Sequence, residues 1–107
     1  MNHSSLSDVM NRLSDEELPK FLVRFAYNLT VVARNTYVAG GNTLEKPTAM
    51  RGLNEIAHRV LAYALHAFNA KQVQLPDEFA QKIFALAELY DCVFELESAV
   101  AFSLENL

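Results

Sequence analysis

From Asp77 onward the apolar residues Phe79, Ile83, Leu86, Tyr90, Val93, Val100 and Leu104 recur at alternating steps of four and three, the spacing of helices packed side by side. The pattern predicts one long helix over 77–106, with Glu97 standing where the seam calls for another apolar residue. At about 1.5 Å per residue such a helix runs about 45 Å, whereas a small domain is about 30 Å across. It is therefore either broken or overhangs its own domain. An overhang needs cover, and a second apolar edge formed by Leu89, Cys92, Leu96, Ala99 and Val100 is the expected interface with a second chain.

Three more helices precede it. Leu6, Val9, Met10 and Leu13 make the apolar face of a short helix over 4–13, capped by Ser4 or Ser5. Ser14 and Glu17 have capping-box spacing and open a helix over 16–39, with Pro19 in its first turn and a seam of Leu18, Leu22, Phe25, Leu29 and Val32, with Thr36 at the next step. Gly40, Gly41 and Asn42 end it, and Thr43 to Lys46 connect to Pro47. A helix over 47–70 turns Met50, Leu53, Ile56, Ala57, Val60, Leu61, Tyr63, Ala64, Ala67 and Phe68 to one side and Arg51, Asn54, Glu55 and His58 to the other. Lys71 to Leu75 read as a loop, and Pro76, Asp77 and Glu78 restart a helix. The expectation is an all-α, up-and-down bundle of three longer helices and a short amino-terminal one, a single domain over 1–107 completed by dimerisation.

Composition narrows the function classes. At 107 residues, 51% of them apolar, the chain can bury a core without staples, and one cysteine, Cys92, allows no internal disulfide. Thirteen acids against nine bases give a formal charge of −4, which argues against nucleic acid as a partner. No apolar run is long enough to cross a membrane, and Met1 to Met10 lack the basic start and apolar core of a signal peptide, so a cytoplasmic location is expected.

Two places invite chemistry. Glu97, if buried in the seam, must find a base, take up a proton or reach water, and it is a candidate pocket acid or metal ligand. On the third helix Arg51 and His58 lie within about 20° of each other and two turns apart, with Asn54 between them. A guanidinium could hold phosphate oxygens there while an imidazole moves a proton. The Arg51 to His58 spacing resembles the arginine-to-histidine signature of the HEPN superfamily, small helical and often dimeric proteins that include metal-independent RNases. The resemblance implies Arg51 and His58 as a catalytic pair. Gly52 stands where that family carries a hydrophobic residue, and the spacing recurs at Arg59 and His66. Glu55 and His58 also have the Glu-x-x-His spacing by which helical bundles aim two ligands at one metal, with Glu97 as a possible third.

The expected function is a small helical interaction or regulatory module, homodimeric and without a cofactor, engaging a second copy or a protein partner. An RNase using Arg51, His58 and Asn54 is the first alternative, and a metal-binding protein using Glu55, His58 and Glu97 the second.

Overall fold

Ser14 and Glu17 close a reciprocal cap: the Ser14 amide donates to Glu17 Oε1 at 3.0 Å and the Glu17 amide to Ser14 Oγ at 3.1 Å. That pair separates the first two of five helices in the computed structural model, which describes residues 3–39, 45–70, 76–105 and 107. They are α1 (His3–Arg12), α2 (Glu17–Ala39), α3 (Glu45–Ala70), α4 (Pro76–Leu89) and α5 (Val93–Leu104). Among the described residues the fold is all-helical, with no strand. The expected turn at Gly40 to Asn42 and the loop at Lys71 to Leu75 lie outside them.

α2 is the central helix. It buries Phe21, Leu22, Phe25, Ala26, Leu29, Val32 and Ala33, close to the expected seam, and packs most extensively against α3 and then α5. Each fully buried leucine-sized side chain contributes about 1.5–3 kcal/mol of transfer free energy. Phe21 and Phe25 stack with ring centroids 5.6 Å apart. Against α5, Asn28 Nδ2 donates to Ser103 Oγ at 3.1 Å, and the buried Ser103 hydroxyl donates in turn to the Ala99 carbonyl at 2.6 Å. α1 packs on α4 and buries Leu6 and Met10. α3 begins two residues before Pro47, at Glu45, and buries Ala49, Leu53, Ile56, Ala57, Val60 and Ala64, while Leu61 is exposed.

The expected single helix over 77–106 is two helices. The amide of Cys92 donates to the Ala87 carbonyl at 2.8 Å and that of Asp91 to the Glu88 carbonyl at 3.2 Å. This paired 6→1 and 5→2 bonding is the Schellman helix stop, and it places one residue, Asp91, in the left-handed region at φ 54°. Glycine usually fills that place, but aspartate is among the few other residues that enter it at modest cost. α5 starts directly afterwards, with the Leu96 amide donating to the Cys92 carbonyl at 3.0 Å.

The break shifts the phase of everything after it. α4 buries Ala80, Ile83, Phe84 and Ala87, and α5 buries Leu96, Ala99, Val100 and Ser103. Glu97 is consequently only half-buried, beside the seam rather than in it. The expected interface is corrected by the same shift. Cys92, Leu96, Ala99 and Val100 are fully buried inside their own chain and have no surface to offer a second one; only Leu89 of that group is exposed.

Candidate functional site

The outward face of α3 carries the polar residues singled out by spacing. Arg51 and His58 are exposed and Asn54 is half-buried. Seven residues of helix separate the two basic groups by about 10.5 Å along the axis. Neither makes a hydrogen bond or ion pair among the described residues. Arg51, Asn54 and His58 thus share a solvent-facing side of one helix.

Glu55 belongs to a different neighbourhood. The Tyr90 hydroxyl donates to its Oε2 at 2.7 Å, and Arg59 Nη2 stands 3.7 Å from its Oε1. Both carboxylate oxygens are engaged, and Tyr90 arrives from the residue just after α4 ends. The phenol is held above its ordinary pKa, first by the hydrogen bond to Glu55, then by burial and the Glu55 charge, with Arg51 and Arg59 partly offsetting this. Tyr90 can reach Glu55 because Gly52 faces it: a Cβ added at position 52 would lie 2.5 Å from Tyr90 Cγ. A mid-helix glycine often marks such a close approach. Tyr90 and the helix stop were not legible as parts of a site, but Gly52 within α3 was a signal that another element comes near.

Metal chemistry loses its ligand set in this arrangement. Among the described residues no three of His, Cys, Asp and Glu come together as metal ligands, so Glu55, His58 and Glu97 do not form a common site. Cys92 is equally unsuited to reactivity. It is fully buried, and burial, with the charges of Glu95 and Asp91, pushes its thiol up to about 11.

Among the described residues, hollows open on the surface in two places. One, of about 310 Å³, runs between α3 and α4 and is lined by Arg59, Lys82, Ala85, Leu86 and Leu89. Further along the same two helices the Tyr63 and Phe79 rings stack in parallel, centroids 4.0 Å apart. The other, of about 420 Å³, is lined by Lys20, Val23, Arg24 and Leu107, where Arg24 Nη1 donates to the Glu105 carbonyl at 2.6 Å. Around the break between α4 and α5 stand the two most exposed large apolar side chains among the described residues, Leu89 at 73% and Phe94 at 77%. No described helix is long and apolar enough to cross a membrane. No protein-family model, curated protein or solved structure matches this chain.

Proposed function

We propose that this protein is a small cytoplasmic helical interaction module that works by docking to another polypeptide rather than by catalysis. The observation that carries this reading is the pair Leu89 and Phe94, two large apolar side chains left mostly in water at the bend between α4 and α5. Isolated exposed apolar residues are ordinary, but two at a bend, one of them lining a groove, make a contact surface. The hydrogen bond from Tyr90 to Glu55 supports the same reading, since it ties one polar residue of α3 to the fold instead of leaving it for a ligand.

Native mass spectrometry of protein purified without added metal or chelator tests this. The expected spectrum shows the chain in a protein assembly, with no metal-sized or nucleotide-sized increment. RNA cleavage that survives chelator and disappears in His58→Ala would overturn the reading in favour of Arg51 and His58 as a catalytic pair. Stoichiometric metal lost in Glu55→Ala would overturn it in favour of a metal protein.

A further inference from the structure

We propose that the groove between α3 and α4 receives Phe94 of a second copy of this chain, with Asp91 and Glu95 of that copy meeting Arg59 and Lys82, the two cations that line the groove. This rests on the reading of the protein as an interaction module and names its partner.

Ala85, Leu86 and Leu89 line the groove along one face of α4, with Lys82 a turn before them, and Arg59 lines it from α3. An occupant that fits must therefore carry apolar and acidic groups together. The chain carries such an element on its own surface. Phe94 is 77% exposed on the first turn of α5, Asp91 lies just before that helix and Glu95 within its first turn. Neither Asp91 nor Glu95 forms an ion pair among the described residues. The two cations have only loose partners: Arg59 stands 3.7 Å from Glu55 and Lys82 3.5 Å from Glu78, both exposed pairs within one helix. Such pairs contribute little and exchange readily for an intermolecular partner.

Position also favours a second copy. Leu86 and Leu89 lie in the last turn of α4, and Phe94 follows in the first turn of α5, so groove and aromatic knob stand five to eight residues apart along the chain. A two-fold axis near the break lets each chain insert Phe94 into the other, which closes the assembly as a dimer and leaves no open end. The charges fit the same reciprocity, since the cations of each groove meet the acids of the opposite chain.

Sedimentation velocity from low micromolar to roughly 100 µM, on the whole chain, tests the proposal. Wild type is expected to dimerise, and Phe94→Ala to raise the dimer dissociation constant about tenfold or more. Lys82→Glu should weaken the dimer, and Lys82→Glu combined with Glu95→Lys should recover it, because the exchange restores opposite charges across the interface. Far-UV circular dichroism checks that each variant keeps its helices. A wild type that stays monomeric throughout this range overturns the proposal. So does a dimer that Phe94→Ala leaves unchanged, which would place the contact elsewhere while the interaction reading stands. Failure of the double variant to recover overturns the pairing of Glu95 with Lys82, and with it the placement of Phe94 in this groove. None of these outcomes depends on RNA cleavage or metal content, which decide the broader reading separately.

Discussion

The two flanks of this molecule are built differently. On one, α2 lies against α5 over Leu96, Ala99 and Val100, and even the polar contact is internal, since Ser103 is fully buried and bonded to both Asn28 and Ala99. On the other, α3 and α4 touch sparingly, through the Tyr63 and Phe79 stack and the fit of Tyr90 over Gly52, and leave a groove between these contacts. The same chain thus supplies a dry seam that fixes the fold and an open seam that remains available. Asp91 produces the difference. Its left-handed turn redirects the chain so that α5 delivers its apolar face to α2, while Phe94 is left outside.

The contrast can be strained from its strongest side first. Leu96→Ala removes a fully buried side chain from the dry seam and should cost about 2–5 kcal/mol, read as a lower urea midpoint. Next comes alkaline pH, which probes the start of that seam. Burial raises the Cys92 thiol from 9.0 to about 11, so the folded chain holds a proton there that the unfolded chain has already lost. That contribution is fully present below the unfolded pKa and is lost as pH rises through the folded one. Stability should therefore fall between about pH 9 and 11, and the fall should be smaller in Cys92→Ala when urea midpoints are compared across that window.

Gly52→Ala tests the open side. Alanine favours a helix by about 1 kcal/mol over glycine, but the added methyl meets Tyr90, an overpacking that typically costs about 1–3 kcal/mol. The expected net result is destabilisation of about 1 kcal/mol, whereas a stabilised variant would show that Tyr90 moves aside freely. The smallest effect is expected for Phe94→Ala. With 77% of the ring in water, the stability of the monomer should change by less than about 0.5 kcal/mol in dilute urea melts, even though association is expected to weaken strongly.

Much of this was legible in the sequence where local rules and global packing agree. The seam of α2 emerged from its four-three spacing, the cap of Ser14 and Glu17 from its box, and the two faces of α3 from a helical plot. The end of α4 was not legible, because the expected signal for a left-handed stop is glycine and Asp91 takes its place. That omission propagated. A continuous helix put Glu97 in the seam and Leu96 on an outer edge, and the one break reverses both placements, while Val100, on the expected seam as well as that edge, is buried. The candidate surface was half legible: Leu89 was on the expected edge, but Phe94 was not, since its exposure depends on the phase set after Asp91. Arg59, which the sequence marks only through its spacing to His66, becomes part of a groove only once α3 and α4 are laid together.

The contrast between a closed and an available seam is decided by amide hydrogen exchange at low micromolar and at roughly 100 µM protein, because it reads both flanks at once. Amides of α2 and of Leu96 to Ser103 are expected to be protected equally at both concentrations, while those around Leu86 to Glu95 gain protection only at the higher one. Equal exchange around Leu86 to Glu95 at both concentrations, or a gain confined to the outward face of α3 around Arg51 and His58, would contradict it.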